Sequence, residues 1–419
     1  MILAVLTQLP IRSGIIAYGR WRKIRPFLFA LLICALALPP GFACAAPTDP
    51  PKKTPTEMPG YSTDDLRKLS DIISRTGVSS DAIPALYRPQ YLSISDADLS
   101  MENEEIVFIV NYPGNLVRIY PRRILVWHEA VNDILPTPAG RLPSAQQSPV
   151  PDKEVENLTI TYSPLTGSVV GFRSMAGKYP SSFGLSGNLL NGNSVLYDRI
   201  SRSLWIQLLG ICVEGPFLGK RLTRVPVLSA RWKGVKDRYG GLDSQFTGRA
   251  EVLSRSTGFT RSYGKDPYGT YARKGSYYDD LRLPFAVDRI DTRLPPKTPI
   301  LGLELENSSG AVLKDEVRKE RVINFSLGAV PMMAVHDEEI DAVRVFERTL
   351  TDLDQPLTFS IFEDKLVDDQ SKSEWRADGE CVYGRLRNRT LKPVLAIDSM
   401  WFAWASFYRN TQIIPGSSF

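Results

Sequence analysis

Two stretches decide the fold: Asp198–Trp205, reading DRISRSLW, and Asp368–Trp375, reading DDQSKSEW. Asp198 aligns with Asp368, Ser201 with Ser371, Ser203 with Ser373 and Trp205 with Trp375. Downstream, Gly210, Cys212 and Gly215 match Gly379, Cys381 and Gly384, Leu222 matches Leu391, and Pro226–Leu228 matches Pro393–Leu395. Similarity held in register over so many positions signals a duplicated unit. Upstream, Ile106 to Tyr120 leads to Asn132 as Ile300 to Leu313 leads to Asn324. The 419 residues therefore read as two β-rich copies, 100–240 and 295–415, joined by a Tyr-rich connector, 241–294. Asn132 to Thr161 spans 29 residues but Asn324 to Ala334 only 10, so the first copy carries an insertion over roughly 135–156. That insertion is rich in Pro, Ser and Gln, as an exposed loop is.

Within the copies, short β-branched or aromatic runs recur: Ile106–Val110, Leu158–Tyr162, Ser168–Phe172, Leu204–Leu208, Ile300–Leu305, Val322–Phe325, Ala342–Phe346 and Leu357–Phe362. Gly, Pro, Asn and Asp clusters separate them, and no strand–helix alternation suggests a parallel sheet. The expected fold is mainly β, an internally duplicated antiparallel architecture with few short helices. One helix is expected in the lead-in, 61–99: Ser62 and Asp65 form a capping pair, Leu66, Leu69, Ile72 and Ile73 share a face, and Gly77 stops it.

Charge is unevenly placed. Residues 1–45 hold five of the 51 Lys and Arg and no Asp or Glu, which leaves 46 basic against 46 acidic residues in the rest. A neutral body argues against a nucleic-acid partner. The leader reads as a signal peptide: basic residues up to Arg25, the apolar run Phe27–Leu38, helix-breaking Pro39 and Pro40, and Ala43 and Ala45 at −3 and −1 for cleavage after Ala45. The run is shorter than the roughly 20 residues that span a bilayer. Membrane attachment would come only through an uncleaved leader or a lipidated Cys44. Five Pro in residues 46–60 make a solvated linker. The expected address is periplasmic or extracellular, where Cys212 and Cys381 could pair as a disulfide or stay as buried thiols.

Several motifs in order resemble a known family. They are Arg123–Asp133 (RILVWHEAVND), Thr161–Ser168 (TYSPLTGS), Phe183–Gly187 (FGLSG), Tyr197–Arg199 with Ser203–Trp205, Tyr263–Tyr268 (YGKDPY) and Trp401–Trp404 (WFAW). Together they resemble the bacterial domain-of-unknown-function family numbered 3179, over roughly 83–415. The resemblance implies an exported protein of uncharacterised activity. Where the family pattern usually has Cys, this chain has Ser163, a departure from any thiol or metal-thiolate chemistry the resemblance implies.

Candidate chemistry centres on His128, one of two histidines, with Glu129 and Asp133 close by. Imidazole beside carboxylates could be a general base or metal ligand, or a histidine packed in a β core. Ser163, at a strand end, could be a nucleophile if His128 activates it, although no Gly-x-Ser-x-Gly context surrounds it. Asp198, Trp205 and Asn132 could floor a polar ligand groove; equally, Asp198 with Ser201 and Ser203 fits a side-chain-capped turn. His336–Glu339 aligns with Ser163 and reads as a solvated charge run. The Tyr263–Tyr278 connector reads as packing on the cores. The cofactor is unknown: no Gly-rich phosphate loop, paired-Cys zinc pattern or calcium loop is present to name one. The expected function is a binding module with a degenerate site between the copies, for an unidentified small molecule or envelope protein. The alternative is a metal-dependent or His/Ser enzyme centred on His128 and Ser163.

Overall fold

The computed structural model describes residues 61–112, 114–134, 157–241, 244, 246–269 and 275–415. The chain divides into two compact units, 1–54 and 55–419, and every described residue lies in the second. The leader, Cys44, the linker 46–60 and the insertion 135–156 fall outside the described residues.

Short runs of β-branched residues punctuated by turn formers pair with their neighbours in the chain, and strands accordingly dominate. The protein is mainly β, with multiple antiparallel sheets and a few short helices. Three sheets in the first half recur, in strand order, in the second. The first sheet runs Leu228–Arg231, Ile106–Tyr112, Leu116–Pro121, Arg249–Leu253, with Tyr91–Leu92 added at its edge; its counterpart runs Ala396–Met400, Pro299–Glu304, Ser309–Leu313, Gln412–Ile414. In both, the fourth strand joins parallel to the third. The second sheet contains Ala130–Ile134, Asn157–Ser163 and Ser168–Arg173, against Val322–Leu327, Val330–Asp337 and Ala342–Glu347. The third contains Phe183–Leu190, Asn193–Asp198, Leu204–Ile206 and Ile211–Glu214, against Phe359–Phe362, Lys365–Asp368, Glu374–Trp375 and Cys381–Tyr383. Even the irregularities recur: the register slips between Leu204 and Trp205, and between Glu374 and Trp375. Strand Arg249–Leu253 extends the first copy's sheet into what the sequence reads as connector.

Helices fall in matching places. Arg122–His128 and Lys314–Glu320 follow the first hairpin of each half, while Trp232–Gly240 and Trp401–Phe407 follow the strands ending at Arg231 and Met400. Ser62 caps helix Thr63–Asp71 with a reciprocal Asp65 bond. Trp232 and Trp401, opening their helices, are wholly buried.

The halves meet through a reciprocal pair of backbone bonds. Arg231 N–H donates to Ile340 O at 2.8 Å, and Met400 N–H donates to Thr166 O at 2.8 Å. Each bond runs from the end of one half's edge strand into the second-sheet turn of the other, the pattern of a pseudo-twofold contact. Helix Trp232–Gly240 also lies hard against the second half's turn: a Cβ on Gly234 would come within 1.7 Å of Glu339 O. One core cluster runs across the junction, joining Trp205, Phe172 and Leu209 to Trp401, Trp404 and Ile300.

Candidate functional site

Duplication separates scaffold from site, because a side chain doing the same job in both halves is holding the fold. Asp198 accepts bonds from Ser201 N (2.7 Å), Ser201 Oγ (2.8 Å) and Trp205 Nε1 (3.0 Å). Asp368 accepts from Ser371 N (2.6 Å), Ser371 Oγ (2.8 Å) and Trp375 Nε1 (3.0 Å). Both carboxylates are fully buried turn caps that anchor a tryptophan. Asn132 repeats likewise. Its amide donates to Phe183 O (2.9 Å) and accepts from Phe183 N (2.8 Å), while Asn324 does the same with Phe359 O (2.7 Å) and N (2.9 Å). Asp198, Trp205 and Asn132 therefore have protein partners in place of the ligand groove they could have floored.

The expected catalytic set is not brought together. His128 is wholly buried, with Nδ1 2.7 Å from Pro84 O and Nε2 2.7 Å from Tyr263 Oη, and burial holds its imidazole below the ordinary value. With both nitrogens occupied, it neither reaches Ser163 nor offers a lone pair to a metal. Asp133 turns elsewhere, into a buried network with Arg118 (2.6 Å), Tyr91 (2.5 Å) and Tyr120 (2.7 Å). Only Glu129 and Ser163 share a partner. Ser194 Oγ donates to Glu129 Oε2 (2.7 Å) and lies 3.1 Å from Ser163 Oγ, which also accepts from Ser194 N (3.2 Å). Glu129 sits at a left-handed helix C-cap, and burial, opposed by the Ser194 bond, pushes its carboxyl up to about 7. Such a carboxyl can exchange a proton near neutrality, but Ser163 has no exposed surface from which to attack a substrate. Among the described residues, no group of three or more His, Cys, Asp or Glu is placed to hold a metal ion.

One open alternative is decided and one further expectation is corrected. Cys212 and Cys381 are free, each buried in its own half's core cluster, so the disulfide is not formed. The His336–Glu339 run is not simply solvated: Asp337 is buried between Arg238 and Arg344, and His336 Nε2 lies 2.9 Å from Asp341.

What the halves build jointly is a hollow. A cavity of about 470 Å³ lies beside the reciprocal backbone bonds, lined from both sides by corresponding positions. Ile106 faces Pro299 in this sense, Arg122 corresponds to Lys314, and Arg231 to Met400. Arg122 is held by Tyr162 (2.9 Å), Asp266 (2.5 Å) and Tyr278 (2.6 Å), and Lys314 pairs with Asp398. Asp341 splints the two halves, taking Arg231 Nε at 3.3 Å and Arg318 Nε at 2.9 Å. Burial works against its charge, yet bonds from His336, Arg318 and Arg231 hold its carboxyl well below the usual range. Arg231 and Arg318 spend Nε and Nη1 on the protein and leave Nη2 without a hydrogen bond among the described residues. Ala230 points into the core, so Ser229 and Arg231, on the opposite face of their strand, look into the cavity. Sequence reading missed this group. A faint signal existed, since Arg122 and Lys314 each stand ten residues before the aligned Asn132 and Asn324.

No curated protein and no solved structure matches the chain. A family model described as "Protein of unknown function (DUF3179)" matches residues 80–139 and 151–411, a span that takes in both halves and every residue of the site between them. The chain thus belongs to the DUF3179 family, whose function is uncharacterised.

Proposed function

We propose that this protein is an exported, non-catalytic binding module that takes a small acidic molecule, a carboxylate or phosphate ester, in the cavity between its halves. The observation that carries the reading is the pair of guanidinium edges, Arg231 from one half and Arg318 from the other, at a cavity of about 470 Å³. That volume falls within the range of small-molecule sites. Arginine presents a planar fork that suits carboxylate and phosphate oxygens. The lining carboxylates are all paired, Asp341 with Arg231 and Arg318, Asp315 with Arg318 and Asp398 with Lys314, so the two Nη2 edges are what this set leaves for a ligand. The leader at 1–45 supports export, and a mature chain beginning at residue 46, read by intact mass, tests that part.

Binding is tested by thermal shift of residues 46–419 against small organic acids and phosphate esters. A ligand at a hundred times its Kd stabilises by about 2.7 kcal/mol. Ser229→Trp, which fills the cavity from an edge strand, should abolish the shift while leaving the unliganded protein folded. Failure of every acid to shift wild type, or equal shifts in Ser229→Trp, contradicts the reading.

A further inference from the structure

The pseudo-twofold relation exposes a second asymmetry, away from that cavity. In the first half, the chain's own segment Tyr61–Asp71 lies across the third sheet. Helix Thr63–Asp71 packs against strand Ile211–Glu214, and Ser70 Oγ donates to Glu214 at 3.1 Å. Leu66 is buried over the Gly219 turn, and Tyr61 Oη donates to Phe407 O at 2.5 Å, at the end of helix Trp401–Phe407. The segment thus fills a groove between the first half's third sheet and the second half's last helix.

Its counterpart is open among the described residues. Strand Cys381–Tyr383 corresponds to Ile211–Glu214, and helix Trp232–Gly240 corresponds to Trp401–Phe407. Between them lies a groove of about 1270 Å³, lined by Tyr112, Tyr239, Leu366, Trp375 and Val382. Val213, in the covered groove, is 1% exposed; Val382, its equivalent, is 38% exposed, and the adjoining Tyr383 is 66% exposed. No described segment of this chain plays the part of Tyr61–Asp71 here.

We infer that this open groove docks a short, positively charged amphipathic helix of a partner protein, seated as helix Thr63–Asp71 is seated in the other half. The covered groove supplies the shape of the occupant, a single helix with leucine-type anchors on one face. Charge selects the partner. The groove lining holds seven carboxylates against five Arg and Lys, a surplus of two negative charges, and six of the seven are ion-paired with those five cations. Exposed Asp237 has no ion pair among the described residues. Helix Thr63–Asp71 itself carries three Asp against one Arg and one Lys; the Asp65 carboxyl is lowered mainly by its bonds with Ser62, and Lys68 and Arg409 add smaller pulls in the same direction. Position 409 follows Tyr408 as Gly240 follows Tyr239, so the open groove lacks that cation. A second copy of this chain would bring an acidic helix to an acidic groove, which favours a different, basic partner.

The test uses labelled peptides of residues 61–74 with the 46–419 protein, read by fluorescence anisotropy. One peptide has the natural sequence; in the other, Asp64, Asp65 and Asp71 are replaced by lysine. The lysine peptide should bind saturably and at least about tenfold more tightly than the natural one. Val382→Lys and Asp237→Lys, both at exposed positions, should each weaken it by about tenfold or more, with unfolding curves unchanged. Higher salt should weaken it as well. No saturable binding of the lysine peptide up to about 1 mM, or binding indifferent to both variants, overturns the inference. So does preferential binding of the natural peptide, or self-association of the protein abolished by Val382→Lys, since either assigns the groove to a second copy.

Discussion

Replacing Asp198 or Asp368 with alanine tests whether these residues are scaffold. In Asp198→Ala, buried Trp205 Nε1 loses its acceptor at 3.0 Å, and Ser201 loses both its N–H and hydroxyl partner. An orphaned buried donor costs about 1–3 kcal/mol, and each further lost bond about 1 kcal/mol. The expected destabilisation is about 3–5 kcal/mol. Asp368→Ala removes the same three bonds at lengths matching within 0.1 Å and a fourth from Ser373 N at 3.1 Å, so it should cost a similar amount or about 1 kcal/mol more. Urea unfolding of the 46–419 chain, followed by tryptophan fluorescence and circular dichroism, measures both. Adding Trp205→Phe to Asp198→Ala removes the orphaned donor, so the pair should cost clearly less than the sum of the single changes. A scaffold role is refuted if either alanine variant stays within about 0.5 kcal/mol of wild type, or if the two differ by more than about 2 kcal/mol.

Three more outcomes are expected. Glu129 has a folded-state carboxyl pushed up to about 7 from 4.5, so its contribution is fully present below pH 4.5 and is lost as pH rises through 7. Unfolding free energy should fall by about 3 kcal/mol across that window relative to Glu129→Gln, and parallel pH profiles would contradict this. Burial pushes the Cys212 thiol up to about 12 and raises that of Cys381, so neither should react with Ellman's reagent in the native 46–419 protein. Both should react on denaturation without added reductant; a reductant requirement would mean a disulfide. Gly234→Ala would push a Cβ within 1.7 Å of Glu339 O, a backbone atom of the other half. Its thermal midpoint should drop by many degrees, and a wild-type midpoint would refute the close docking of the halves.

How much the sequence reveals depends on how local the physics is. The Asp198 and Asp368 turns are readable because their bonds span three residues, and Ser62 with Asp65 is readable for the same reason. The β-branched runs place the strands because hydrophobic alternation is a short-range signal. Strand Arg249–Leu253 is missed because it pairs in parallel with Leu116–Pro121, more than a hundred residues away, and two of its five residues are charged. Proximity in sequence misleads at His128, Glu129 and Asp133. A left-handed cap at Glu129 turns the chain, so His128 faces Tyr263, Glu129 faces Ser194 and Asp133 faces Arg118. Ser194 stands 65 residues beyond Glu129, and no local pattern joins them. Arg231 and Arg318 meet at Asp341 only because the two halves dock, and no motif within either half encodes that contact.

The most direct test of the central claim is a crystal structure of the 46–419 chain with the acid that gives the largest thermal shift. The account predicts density for the acid in the cavity between the halves, with its anionic group within hydrogen-bond distance of Arg231 Nη2 and Arg318 Nη2. Density elsewhere on the protein, or an empty cavity at saturating ligand, would contradict it.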